Sequence, residues 1–187
     1  MKKRIIGTGL LLTAIVVTSV AAYMCGIDPP IGNVLGAFAA VFAAIIAFCI
    51  IKVSDRIFFS VLIFIFLASP MGSILNLYRS VDSYDKIVHY ISGILLAIIG
   101  QVVFARILSK CNINISDFSN IVMPMILAAC LFSSAAAGIW EIFEFAADKL
   151  AGGGMQRGMV DTVTDMIAGN LGAATYGIIE CIKVRKR

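Results

Sequence analysis

Apolar residues run through this chain in six long blocks, each close to the roughly 20 residues a helix needs to cross a bilayer. They fall at about 5–25, 31–51, 57–77, 85–108, 121–150 and 160–184. The punctuation between them is short and local. Asp28-Pro29-Pro30 predicts a sharp turn after the first block, and Ser69-Pro70-Met71-Gly72 predicts a kink or break near the outer half of the third. Ala151-Gly152-Gly153-Gly154-Met155-Gln156-Arg157-Gly158 predicts a loop before the sixth block, with glycines able to take positive φ. No internal repeat, low-complexity tract or long linker interrupts the pattern. The expectation is an all-α polytopic membrane protein: six transmembrane helices in a single bundle over residues 1–187.

Polar residues inside the last three blocks break the apolar pattern in a regular way. Asp85 and His89 are spaced i, i+4, which places them on one helical face. Glu141, Glu144 and Asp148 follow at i, i+3 and i+7, an acidic stripe on the fifth block. Asp161 and Asp165 repeat the i, i+4 spacing on the sixth. With a rise of ~1.5 Å per residue, His89, Glu144 and Asp165 each lie about 6 Å further into the membrane than Asp85, Asp148 and Asp161. Glu141 reaches about one turn deeper. On the sixth block Ala168, Gly169, Gly172 and Ala173 form a small-residue face suited to close helix packing, and Asn170 is one more polar group at membrane depth.

Composition strengthens the membrane reading, with 60% hydrophobic residues, 14% charged and a mean hydropathy of +0.99. The first block begins Lys2-Lys3-Arg4 and offers small residues at Val20-Ala21-Ala22, as a secretory signal does, but its apolar run is too long for a signal core. It is expected to remain as the first span. Basic residues set the orientation. With the N-terminus inside, the cytoplasmic side holds Lys2, Lys3, Arg4, Lys52, Arg56, Arg106, Lys110, Lys183, Arg185, Lys186 and Arg187, leaving Arg79, Lys86, Lys149 and Arg157 outside. Both termini are therefore expected in the cytoplasm. The net charge of +4 then reflects orientation and attraction to anionic lipid, and no nucleic-acid partner is implied. Acids distribute the opposite way: only Asp55, Asp117 and Glu180 fall on the inner side. The five cysteines are scattered singly, without Cys-x-x-Cys spacing, and read as small apolar side chains, with neither a disulfide framework nor a thiolate zinc site expected.

Ionisable groups at membrane depth are costly and mark functional sites. The candidate catalytic residues are Glu141, Glu144 and His89, with a glutamate as general base. The candidate ligands for a divalent metal are Asp85, His89, Glu144, Asp161 and Asp165: oxygen donors suit Mg²⁺, Mn²⁺ or Ca²⁺, and the imidazole with carboxylates also suits Zn²⁺. Gln156, Arg157 and Lys86 are the candidate substrate-binding residues. Each group has a plainer alternative. Asp85 also fits a first-turn carboxylate beside the helix dipole, His89 a hydrogen-bonded structural histidine, and the glutamates partners for Lys86 or Arg157.

Taken together, Asp85-Lys86-x-x-His89, Trp140-Glu141-x-x-Glu144, Gly154-Met155-Gln156-x-x-x-x-Asp161-x-x-x-Asp165 and Asn170-x-Gly172-Ala173 resemble VanZ-like bacterial membrane proteins and the related YjdF-type family. The resemblance covers the second half of the chain. It implies a multi-pass protein of the bacterial cytoplasmic membrane with a cell-envelope role, and it supplies no mechanism; the glycopeptide resistance associated with the founding VanZ protein does not transfer with it. The residues themselves support three functions. One is binding or processing of an outer-leaflet lipid or envelope precursor, with metal assistance, at an outward-facing site. The others are proton- or cation-coupled transport and a non-catalytic membrane scaffold. The lipid bilayer is the one partner common to all three.

Overall fold

The computed structural model of the chain describes residues 2–111, 118–152 and 154–186, so Asp117 and Gly153 lie outside the described residues. Among the described residues the regular structure is entirely helical: α1 (Lys2–Met24), α2 (Ile31–Ile51), α3 (Asp55–Phe66) running into a π-helical segment (Leu67–Ile74), the short α4 (Leu77–Ser80), α5 (Tyr84–Lys110), α6 (Phe118–Ala151) and α7 (Met159–Arg185). The chain forms two compact units, Met1–Val88 and His89–Arg187, with the boundary in the second turn of α5. Five helical stretches are long and apolar enough to cross a membrane: Lys2–Met24, Ile31–Ile51, Asp55–Ile74, Tyr84–Lys110 and Ile121–Leu150. The sixth predicted block forms α7 in full, but its acids, Asn170 and many glycines and alanines leave it less apolar than those five.

In the first unit, α1, α2 and α3 pack on one another and on the π-helical segment. Pro30 sits at the entry to α2, where its fixed φ suits the first turn and its missing N–H removes no bond. Lys52 closes α2 in the left-handed conformation, and the Ser54 hydroxyl caps α3 by accepting from the Ile57 N–H at 3.4 Å. Arg4 at the start of α1 joins this junction, 2.6 Å from Asp55 and donating to the Val53 carbonyl at 2.7 Å. The expected break at Ser69-Pro70-Met71-Gly72 takes a different form. The helix continues to Ile74 with a widened turn, and the Leu75 N–H closes it onto the Pro70 carbonyl five residues back. Such a turn absorbs a proline that an α-helix does not accommodate. Side chains satisfy carbonyls along it: Tyr84 Oη donates to Leu67 at 2.8 Å and Asn33 Nδ2 to Ser73 at 3.2 Å.

The second unit is a close-packed arrangement of α5, α6 and α7. Gly93 on α5 lies so near the backbone of Gly169 on α7 that a Cβ would collide with it, and Gly172 sits in the same way against the Tyr90 carbonyl. The predicted small-residue face is the buried face of α7: Ala168, Gly169, Gly172 and Ala173 are all covered. Polar bonds accompany the packing. Ser133 Oγ donates to the Gly93 carbonyl at 2.8 Å, Tyr90 Oη bonds Thr175 at 3.0 Å, and Tyr176 Oη bonds Gln101. α7 runs antiparallel to α6 along most of its length, with successive contacts at Ser134–Asn170, Cys130–Ala173 and Met123–Cys181. That pairing brings Asp161 and Asp165 to the end of the unit that holds Glu141 and Glu144.

Candidate functional site

His89, in the second turn of α5, is the starting point. Its Nε2 lies 3.9 Å from Oδ1 of Asp165 on α7, and Asp165 is only 1% exposed. The contact sits beside the glycine packing of the two helices, Gly93 and Gly169 lying one turn beyond His89 and Asp165 and Tyr90 next to His89. The backbone of His89 is engaged as well, its carbonyl accepting from Ser92 Oγ at 2.7 Å.

Glu141 on α6 is buried to 4% exposure, and both of its carboxylate oxygens are without a hydrogen-bond partner. It lies in the same polar centre as His89, Asp165 and Asp161, with Thr162 alongside. Of the helix-locking partners expected for the glutamates, Arg157 is paired with Asp161 at 3.2 Å, through both side chain and backbone N–H, and Lys86 stands 3.9 Å from Asp85. An unpaired buried carboxylate costs several kcal/mol unless a proton, a cation or a ligand compensates it.

Glu144 lies one turn along from Glu141 on the same buried stripe and accepts from the Trp140 indole N–H at 2.7 Å. Trp140 in turn rests against Phe143, ring centroids 5.2 Å apart. Asp148, the third member of the stripe, does different work: its carboxylate accepts from the backbone N–H groups of Gly154, Met155 and Gln156 at 2.7–2.9 Å and ties down the glycine-rich loop. Gln156 completes the clasp, its side-chain amide donating to Thr162 Oγ1 at 2.8 Å. Gln156 and Arg157 are therefore held as parts of the loop's own fastening. Asp85 is buried in the first turn of α5, four residues before His89 and on its face of the helix.

The structure thus brings His89, Asp165 and Glu141 together, sets Glu144 one turn away, and separates Asp148, Gln156 and Arg157 into the loop. Two contributors are absent from the expected set. Trp140 fixes a site carboxylate, and its i, i+4 spacing to Glu144 carried that signal. Thr162, beside Glu141, had no distinguishing pattern. Chemically, one imidazole nitrogen and neighbouring carboxylates form a donor set that suits a first-row divalent ion; Glu141 adds a carboxylate that the protein leaves open.

A family model described as predicted membrane protein (DUF2238) matches residues 6–186. A curated protein of Thermotoga maritima, described as an uncharacterized protein, is 35% identical over 116 residues, which are 62% of this chain and 56% of that protein. The chain thus spans little more than half the length of that relative. No solved structure matches the chain. With the match running from the second turn of α1 to just past the end of α7, the chain belongs to the predicted membrane protein family DUF2238.

Proposed function

We propose that this is a six-span protein of the bacterial cytoplasmic membrane, both termini in the cytoplasm, whose polar centre binds or processes an outer-leaflet lipid or envelope precursor with the help of a divalent cation. The observation that carries the reading is the Glu141 carboxylate, buried and unpartnered in a centre that already contains His89 and Asp165. A scaffold has no use for it, because a leucine there packs without the desolvation cost. The sixth span is supported by α7 lying antiparallel along α6, a helix that itself has the length and apolarity to cross. The excess of basic residues on one side supports the orientation, and the resemblance to VanZ-like and YjdF-type proteins supports the envelope setting.

In this reading His89 and Asp165 hold the cation, Asp85, Asp161 and Glu144 being the further carboxylates of the set. The ion, from among Mg²⁺, Mn²⁺, Ca²⁺ and Zn²⁺, would supply Lewis acidity toward a phosphate oxygen of the headgroup. Glu141 is the candidate general base, open to take up a proton, and Trp140 keeps Glu144 in place. Cation- or proton-coupled transport is the less favoured alternative. The polar groups deeper in the second unit, Ser133, Ser134, Gln101 and Tyr176, are already hydrogen-bonded across helices, and they serve packing better than passage. The test is whether lipid that co-purifies with the parent protein is lost from Asp165→Asn.

A further inference from the structure

Three sulfur side chains of the second unit meet in one groove. Among the described residues Cys25, Cys49 and Cys111 are exposed, whereas Cys130 on α6 and Cys181 on α7 are half-buried and near neighbours. Both border a groove between the two helices that also takes in Met123, Gly177 and Arg185. Helical spacing accounts for the convergence: Met123 and Cys130 are i, i+7 on α6, and Gly177 and Cys181 are i, i+4 on α7, so each pair shares a face. Because the cysteines come from different helices, no short sequence motif announces them.

Cys181 Sγ lies 3.7 Å from Met123 Sδ. Two sulfur ligands, each about 2.3 Å from one ion, stand this far apart when the angle between them is about 107°, so the pair is already at ligand spacing. Cys130 Sγ donates to the Ala173 carbonyl at 3.3 Å and lies over Gly177, where a Cβ would come within 2.9 Å of the sulfur. Gly177 stands one turn before Cys181, so its missing side chain keeps the space between the two thiols open. Bringing Cys130 onto the same ion takes a χ1 rotation and the loss of one weak S–H bond. The groove's lining contains no carboxylate and no imidazole. Asp165, with the polar centre, is at the other end of α7, about 24 Å from Cys181 by the ~1.5 Å rise.

We propose that Cys130, Cys181 and Met123 bind one soft monovalent cation, copper(I), through two thiolates and a thioether. Such donors select copper(I), whereas hard ions want carboxylates and carbonyls. Zinc is disfavoured by the number and type of ligands, since its closed sites take four from cysteine, histidine and carboxylate. On binding, each thiol gives its proton to solvent, so two thiolates against one copper(I) leave the loaded site with one net negative charge. Arg185 in the lining supplies the compensating positive charge. No electron is transferred, the ion entering and remaining as copper(I). The proposal is independent of the polar centre, whose donors are nitrogen and oxygen at the far end of the unit.

The test uses the full-length protein, purified in detergent under anaerobic, reducing conditions and titrated with copper(I) against the chromogenic chelator bicinchoninate. The parent is expected to withdraw one copper(I) per chain from the chelator. X-ray absorption of the loaded parent is expected to show three sulfur neighbours at about 2.3 Å. Cys130→Ser and Cys181→Ser are each expected to weaken binding by about a hundredfold or more, since even groups that only orient metal ligands are worth about 10–100-fold. Met123→Leu, similar in volume but without the thioether, is expected to weaken it about tenfold. Combined replacement of Cys25, Cys49 and Cys111 by serine is expected to leave binding unchanged. The absorption measurement is made on the parent, so it decides the matter even where a variant folds poorly. A parent that takes no copper from the chelator overturns the proposal. So do fewer than three sulfur neighbours, a Cys181→Ser protein that binds as tightly as the parent, or loss of the ion when the three outlying cysteines are replaced.

Discussion

Glu141 is the residue on which the functional reading turns, because its burial and its lack of a partner pull in opposite directions. Removing a buried polar group together with its unmet hydrogen bonds is often neutral or stabilising, whereas truncating one half of a satisfied pair is costly. Glu141→Leu is therefore expected to melt at the same temperature as the ligand-free parent or higher, by up to about 1–3 kcal/mol of stability. Because His89 and Asp165 are proposed to hold the ion and Glu141 to act as base, the variant is expected to keep the rise in melting temperature that divalent ions are expected to give the parent by mass action, about 2.7 kcal/mol at a hundredfold excess over the dissociation constant. Thermal melts in detergent with and without each ion measure both effects. A variant that melts well below the ion-free parent would mean that Glu141 is structural. At this scale the sequence was informative about the acids and nearly silent about their partners. Spacing alone put Glu141 and Glu144 on one stripe, yet what separates an open carboxylate from one held by Trp140 is side-chain geometry, which periodicity does not encode.

Among the elements, α7 carries the most specific constraint. Its buried face is built from residues so small that the backbones of α5 and α7 approach within van der Waals distance, and this sets how far His89 stands from Asp165. Gly172→Ala is accordingly expected to destabilise by roughly 1–3 kcal/mol, the range for overpacking a tight contact, and to weaken the His89–Asp165 contact with it. Gly9→Ala on α1 is the matched control: its Cβ meets nothing within 4 Å, and alanine there should stabilise the helix by about 0.5–1 kcal/mol. Denaturant titration of the two purified variants separates these outcomes; equal effects would show that the packing is looser than the structure depicts. The small-residue face was legible in the sequence because glycine and alanine recur at helical spacing. The widened turn at Pro70 was legible only as a disturbance. A proline announces that the α-helical bonding pattern fails, but whether the chain then breaks, kinks or widens depends on neighbours such as Tyr84 and Asn33 that take up the carbonyls.

For the molecule as a whole, the hydrophobic pattern placed the ends of the long helices within about three residues, though not the short α4, because a bilayer demands length and apolarity in one continuous block. It was less informative about α7, where packing against α6 substitutes for apolar surface. The number of crossings decides the topology: the proposed six, with the N-terminus inside, put the loop near Met155 outside and Lys110 inside. In a background lacking the native cysteines, Met155→Cys should react with a membrane-impermeant maleimide in intact cells, and Lys110→Cys only after the cells are opened. The reverse pattern would invert the orientation, and labelling of both from outside would remove a span.

The central claim is that the His89, Asp165 and Glu141 centre binds an outer-leaflet lipid or envelope precursor, and native mass spectrometry of lipid retained by purified protein addresses it most directly. Asp165→Asn nearly preserves shape while removing the negative charge, so it is expected to stay monodisperse and folded but to lose the specifically bound species that the parent retains. Gly172→Leu serves as the comparison, losing thermal stability through helix separation. If Asp165→Asn keeps the same lipid as the parent, or destabilises as much as Gly172→Leu with no specific loss, the buried acids hold helices together and the account of an envelope site is wrong.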